Sequence, residues 1–184
     1  IVGNMDMLSG YLQDNQEMRK LTDAALNAAI RGADLTQRLL AFSRRQALQP
    51  KPSNVNDVIA GMSDLLMSSA GERIVVKLSP SEMPWIVNID RAQLEASLLN
   101  LSVNAGHAMP DGGVLEIRTE NVELTQPLKV FDAEVPCGKY VGIFVKDNGC
   151  GMSKDVLDQA FNPFFTTKGV GEGSGLGLSM VHGF

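Results

Sequence analysis

The sequence predicts an α+β fold in two parts: a helical hairpin over residues 1–48, then a mixed sheet with helices on a face over residues 49–184. Three observations carry this. Apolar residues from Met18 to Phe42 recur every three or four positions, which is a helical seam. Gln49-Pro50-Lys51-Pro52 then stops the helix, because proline lacks the N–H and restricts the residue before it. Beyond that point helical and strand periods mingle, and two glycine clusters flank an aromatic turn: DNGCGM from Asp147, FNPFFTTK from Phe161 and GVGEGSGLGLS from Gly169.

In chain order, Ile1, Met5, Leu8 and Leu12 form one helical stripe, broken at Asp14-Asn15-Gln16. A second helix is expected from Glu17 to Arg45, with Met18, Leu21, Ala25, Ala28, Gly32, Leu35, Leu39 and Phe42 on its seam. At about 1.5 Å per residue it is a rod of roughly 43 Å. A short and a long helix cannot cover this stripe between them, so the hairpin asks for a second copy, giving a four-helix bundle. After the prolines, Asn56 is expected to cap a helix carrying Val58, Ile59, Met62, Leu65 and Leu66. Ile74 to Leu78 and Trp85 to Ile89 read as strands, with Trp85 in the core. Asp90 caps a helix with Leu94, Leu98, Leu101, Ala105 and Met109 inward, ended by Pro110-Asp111-Gly112-Gly113. Val114 to Val122 is a strand, Thr125 to Gly138 a loop, and Lys139 to Lys146 a strand buried on both faces. A last helix starts at Leu178.

Composition narrows the function classes. The 44% apolar share supports a true core, and the formal charge of −5 with pI about 5.0 argues against a nucleic-acid surface. Cys137 and Cys150 are too few for a disulfide framework or a zinc site, so a reduced, cytoplasmic setting is expected. No apolar run approaches the roughly 20 residues of a bilayer span. Ile1 opens inside an apolar pattern and Phe184 closes one, which suggests a piece of a longer chain. Membrane attachment is then expected only through parts outside it.

The chemistry concentrates at two places. Asp147 stands at a strand end, where a side chain reaches a pocket without burying an unpaired charge; Gly149 and Gly151 let backbone approach a flat ligand. The glycines up to Gly177 feed a helix start, an arrangement that offers N–H groups to phosphate. The second place is the helix after Asp90, where Asn100 and Asn104 share a face and His107 lies close to it. Two amides on an otherwise apolar helix need partners if buried. One reading is a hydrogen bond to a neighbouring loop. The other is a neutral oxygen for Mg²⁺ bridging phosphates.

NLSVNAGHAMPDGG, DNGCGM, FNPFFTTK and GEGSGLGLS resemble the N, G1, F and G2 boxes of the sensor histidine kinases, a family that shares its ATP-binding (Bergerat) fold with Hsp90, gyrase B and MutL. The resemblance covers residues 49–184; the hairpin, through IVGNMDML and ADLTQRLLAFSR, is similar to the dimerisation and phosphotransfer domain of the same kinases. It implies ATP and Mg²⁺ as cofactors. Asp147 would accept from the adenine amino group, with Gly149 and Gly151 against the base. Asn104 would hold Mg²⁺, and Asn100 would stand beside it as the catalytic amide. Phe161 to Lys168, with Thr166, Thr167 and Lys168 as phosphate contacts, and Gly171 to Gly175, including Gly173, would form a lid. Gly175, Leu176, Gly177 and Leu178 would face the phosphates, and His107 occupies a position from which relatives reach phosphate. Implied partners are a second copy, through residues 1–48, and a response-regulator receiver domain.

The family's phospho-acceptor histidine falls about nine residues before Ile1 in motif register, and the family's domain continues past Phe184. A rival within the fold is an ATP hydrolase. By the resemblance, hydrolases carry glutamate where this chain has Asn100. An amide cannot serve as a general base at neutral pH, so Asn100 favours the kinase. A second rival is a nucleotide-free scaffold, against which Asp147, Asn104 and the glycines argue.

Overall fold

The computed structural model describes residues 48–130, 133–169 and 173–183, together with Met18, Leu21, Thr22, Ala25 and Leu26, which are helical. Met18, Leu21 and Ala25 belong to the expected seam, and Met18 and Leu21 are exposed; the rest of the expected hairpin and of its seam lies outside the described residues. Among those described, no helix is long and apolar enough to cross a membrane.

The described part begins as an edge. Strand β1 (Lys51–Ser53) pairs antiparallel with β3 (Val87–Ile89), so the prolines that end the hairpin open a short strand. Pro52 can sit there because an edge strand does not need every N–H. Helices α1 (Val55–Gly61) and α2 (Ser63–Ala70) follow, divided at Met62. Strand β2 (Ile74–Ser79) leads through β3 to the long helix α3 (Arg91–Ala108). Strand β4 (Gly113–Leu124), a hairpin of β5 (Leu128–Val130) and β6 (Ala133–Val135), and β7 (Gly138–Asp147) come next. One turn of helix, α4 (Lys154–Leu157), and α5 (Gly177–His182) complete the order.

The main sheet runs β2-β4-β7, with β2 parallel and β7 antiparallel to the central β4. Leu115 and Ile117 of β4 point inward and meet Val58, Ile59, Leu66, Leu94 and Leu98 from the three helices. Mixed α/β layering around one sheet agrees with the expected fold class.

Several expectations need correcting, each for a local reason. Asn54, not Asn56, caps α1: its Oδ1 accepts the Asn56 N–H at 2.9 Å. The Asn56 side chain turns to the sheet instead, donating Nδ2–H to the Ser81 carbonyl at 2.8 Å and accepting from the Thr119 hydroxyl at 2.7 Å. Leu65 is exposed, because the break at Met62 rotates the second helix relative to the first. Trp85 is half-buried outside the core cluster, with its N–H donating to Asn121 and the Lys139 ammonium 5.3 Å above its ring. The segment Thr125 to Gly138 is not all loop, since it contains the β5–β6 hairpin. Strand β7 is an edge with one face open rather than a strand buried on both faces: Val141, Ile143 and Val145 pack on the core, while Phe144 is 42% exposed under the Arg118 guanidinium, which also pairs with Glu120.

Thr119 is the buried polar link between sheet and loop. Its hydroxyl donates to Asn56 and accepts the Ser81 N–H at 2.9 Å. Thr119→Val keeps the shape and strands both partners, so it should destabilise by about 1–3 kcal/mol in urea unfolding. Asp90 offers a second test. One carboxylate oxygen caps α3 at Ala92 and Gln93, and the other accepts the Gln49 N–H at 3.0 Å. The Gln49 bond leads the causes that hold this carboxyl below its usual pKa. A depressed folded-state value stabilises above the unfolded pKa and is lost as pH falls through the folded one. Asp90→Asn should therefore flatten the loss of stability below about pH 4, read from unfolding midpoints across a pH series.

Candidate functional site

Helix α3 carries the centre of the site. Asn100, Asn104 and His107 fall at spacings of four and three and so lie along one face. Leu94, Leu98, Ala105 and Met109 hold the opposite side in the core. Both amides are half-buried, and neither makes a hydrogen bond to the protein among the described residues. Of the two readings of this pair, the hydrogen bond to a neighbouring loop is therefore not seen among the described residues. Side-chain amides that are half out of water and unpaired are free to bind something else.

Backbone closes on α3 from two further directions. At the end of β7, Asp147 Oδ1 accepts the Gly149 N–H at 2.9 Å, which turns the chain sharply. Cys150 N–H then donates to the Ala108 carbonyl at 3.1 Å. A Cβ on Gly149 would lie 2.5 Å from that same carbonyl oxygen. The bare Cα of Gly149 therefore faces the helix, not a ligand as the sequence suggests. Gly151 keeps a different role: its φ of +68° and open surroundings fit a turn that side chains disfavour. Asn148 is a residue that the sequence reading misses. Its Oδ1 accepts the Val114 N–H at 2.8 Å and pins the Asp147 loop to the start of β4. The asparagine after a strand-end aspartate is the signal that could have found it.

The last glycines approach from the other side. A Cβ on Gly177 would stand 3.6 Å from both Asn100 Oδ1 and Asn104 Nδ2, so the start of α5 abuts the two amides. The helix begins at Gly177, one residue before the expected Leu178, and Leu178 is half-buried. Leu176 is fully buried; its side chain anchors this end, and what it offers a ligand is backbone. Gly175 (φ +65°) meets the backbone of Phe164, whose N–H donates to the Gly175 carbonyl at 2.8 Å. Phe161 and His182 meet with their rings tilted at 41° and centroids 5.3 Å apart. The aromatic turn and the last glycine segment are thereby tied together.

Thr166, Thr167 and Lys168 follow Phe164 and Phe165. Thr166 Oγ1 accepts the Lys168 N–H at 3.2 Å, Thr167 is exposed, and a Cβ on Gly173 would lie 2.9 Å from Thr166 Oγ1. Lys168 Nζ is 2.7 Å from His107 Nδ1, and partial burial pushes its pKa below the usual lysine value. Gly171 lies outside the described residues. The structure so brings Asn100, Asn104, His107, Lys168 and Gly177 to one stretch of α3, with Asp147 held one turn further on by Gly149 and Cys150. Two concavities of about 330 and 280 Å³ lie elsewhere and are lined by none of these residues. Among the described residues, no group of three His, Cys, Asp or Glu could hold a metal ion alone.

Residues 89–184 match the family described as histidine kinase-, DNA gyrase B-, and HSP90-like ATPase. The chain is 44% identical over 155 residues to the sensor kinase CckA of Brucella abortus, covering 84% of this chain and 16% of that protein. It is 32% identical to the two-component sensor PprA of Pseudomonas aeruginosa, covering 80% of this chain and 15% of that protein. It therefore spans about a sixth of the length of these two relatives. In fold it is similar to full-length ShkA in complex with AMPPNP (TM-score 0.67, 20% identity, 97% of this chain and 39% of that one). It is also similar to the histidine kinase ThkA in complex with the response regulator TrrA (TM-score 0.56, 20% identity, 92% and 47%).

The glycine contacts are separable by substitution. Gly149→Ala should drive the Asp147 loop off α3 and cost about 1–3 kcal/mol, the range for overpacking. Gly61→Ala meets nothing within 4 Å and should be neutral or slightly stabilising. Paired thermal unfolding of the two variants checks this.

Proposed function

The chain belongs to the histidine kinase-, DNA gyrase B-, and HSP90-like ATPase family, and from that footing we propose that it binds Mg·ATP across α3 as the catalytic part of a sensor histidine kinase. One observation carries the reading: unpaired Asn100 and Asn104 face the start of α5, on the helix against which the Asp147 loop is packed. Asp147 binds the base. One carboxylate oxygen is used by the Gly149 N–H, and the other has no protein hydrogen bond among the described residues, so it is free to accept from an exocyclic amino group. Asn104 suits Mg²⁺ in its chemistry, since an amide oxygen is a hard, neutral ligand and magnesium keeps waters and substrate phosphates for its other positions. When bound, Mg²⁺ would neutralise charge on the phosphates.

The chain's own residues do the positioning. Asn100 sits beside Asn104 and orients the phosphates without supplying a base, so water is not activated and a side-chain acceptor is favoured over hydrolysis. Thr166, Thr167, Lys168, Gly173, Gly175 and Gly177, with the backbone of Leu176 and Leu178, form the phosphate end. Residues 161–174 act as a lid, as loops that cover a reaction do. The acceptor is a histidine of the helical domain, the assembly a homodimer through residues 1–48, and the onward partner a response-regulator receiver in the cytoplasm. The chain's likeness to ThkA, solved with the response regulator TrrA, supports that partner. The runner-up, an ATP hydrolase, is disfavoured by the amide at residue 100.

Asp147→Asn places a donor where an acceptor is required. Affinity for Mg·ATP should fall roughly ten- to a hundredfold, as for loss of a hydrogen bond worth about 1.5–3 kcal/mol. Titration calorimetry on the folded variant measures this, and unchanged affinity removes Asp147 from the site.

A further inference from the structure

Lys168 is the single Lys or Arg between residues 155 and 184, and it is not free in the described structure. Its Nζ lies 2.7 Å from Nδ1 of His107. An ammonium only donates, so Nδ1 must carry a bare lone pair, and the imidazole is neutral with its proton on Nε2. The lysine is held there along its length. Its N–H is turned in by Thr166 Oγ1, and a Cβ on Gly173 would lie 3.1 Å from its Cδ. His107 is on α3 three residues beyond Asn104, at the edge of the face to which phosphates are assigned above.

We propose that the His107–Lys168 hydrogen bond is a latch: neutral His107 parks the lysine on α3, and a polyphosphate ligand must take the ammonium from it. This rests on the nucleotide reading and adds a regulator to it. Parking occupies one of the ammonium's three donors, at a cost in affinity whenever phosphate arrives. Protonated His107 has no lone pair at Nδ1 and carries a like charge, so it releases Lys168. Proton uptake by His107 and phosphate binding are then coupled, each favouring the other by the same factor. The sign follows from the contact: protonating Nδ1 removes the acceptor, so nucleotide affinity rises on acidification. Other charged groups near this end of α3 are Asp111 in the following turn, Asp147 at the end of β7, and Glu72 and Arg73 before β2. None of them is hydrogen-bonded or ion-paired to His107 among the described residues.

The test compares Mg·ADP affinity at pH 8 and pH 5.5 in the full chain, in His107→Leu and in His107→Gln. The nucleotide's own titration is common to all three and cancels in their ratios. Removing the acceptor should tighten binding by His107→Leu at pH 8 about two- to tenfold, the worth of one net hydrogen bond, and should abolish the extra gain at pH 5.5. His107→Gln keeps an acceptor that does not titrate, so it should stay latched and lose the gain as well. Nitrogen NMR of the nucleotide-free chain should show the Nε2–H tautomer of His107, with its Nδ1 signal moved by Lys168→Met. Weaker binding by His107→Leu at both pH values makes the imidazole a direct phosphate ligand and overturns the latch. So does a pH ratio shared by all three proteins, or an Nδ1 signal indifferent to Lys168→Met. No binding by any protein at either pH refutes the nucleotide reading instead, and the NMR result then decides the hydrogen bond by itself.

Discussion

Close approach of backbone to α3 is the constraint on which the rest of the domain depends. Two glycines make it possible, and a third lies at the same helix. Gly106 of α3 itself lies against Ala70, where a Cβ would come within 2.5 Å of the carbonyl oxygen. Gly149 brings the Asp147 loop to Ala108, and Gly177 brings α5 to the two asparagines. The first two contacts forbid a side chain, whereas a Cβ on Gly177 would meet the asparagines at 3.6 Å, an ordinary contact; interiors packed to near-crystalline density leave little slack for relief. The helix can then present Asn100 and Asn104 half out of water with no protein partner among the described residues, because its neighbours fix its position by shape. Polar groups that are positioned but unsatisfied are a cost to the fold and an asset to a ligand.

Much of this is legible in the sequence where one residue has one job. Asp90 reads as a cap because it precedes a helical apolar stripe, and it is one. The strand-end aspartate and the two asparagines read as one candidate site, and the structure places the asparagines on α3 and the aspartate on the loop packed against it. Legibility fails where a residue has two possible partners. Asn54 and Asn56 are both good caps, and the choice falls to Thr119, which is 63 residues away from Asn56 and competes for its amide. Trp85 reads as core by habit, but the adjacent Asn121 and Lys139 let it stay at the rim.

The glycines show a subtler limit. A glycine in a loop announces that a Cβ is unwelcome without saying what would meet it. Gly149 looks like room for a flat ligand and is room for Ala108. Strand β7 shows the same limit at the level of a sheet: a run of apolar residues is ambiguous between two covered faces and one. Phe144 resolves it by lying under Arg118 on the open face, over the space that Gly142 leaves empty. Aromatic cover from a cation–π pair lets an outward phenylalanine pass for an inward one in the sequence.

The Phe164–Gly175 hydrogen bond has a consequence for how such a chain tolerates change in length. It cinches the residues between those two positions into a closed bight, fastened at its neck to Leu176, which is buried, and so to α5. Insertions or deletions inside the bight leave the neck where it is. Their entropic penalty grows only with the logarithm of the loop, about 0.6 kcal/mol per doubling. The same change placed between Gly175 and Gly177 would shift α5 against Asn100 and Asn104 at once. Length variation is thus cheap on one side of a single backbone hydrogen bond and disruptive on the other.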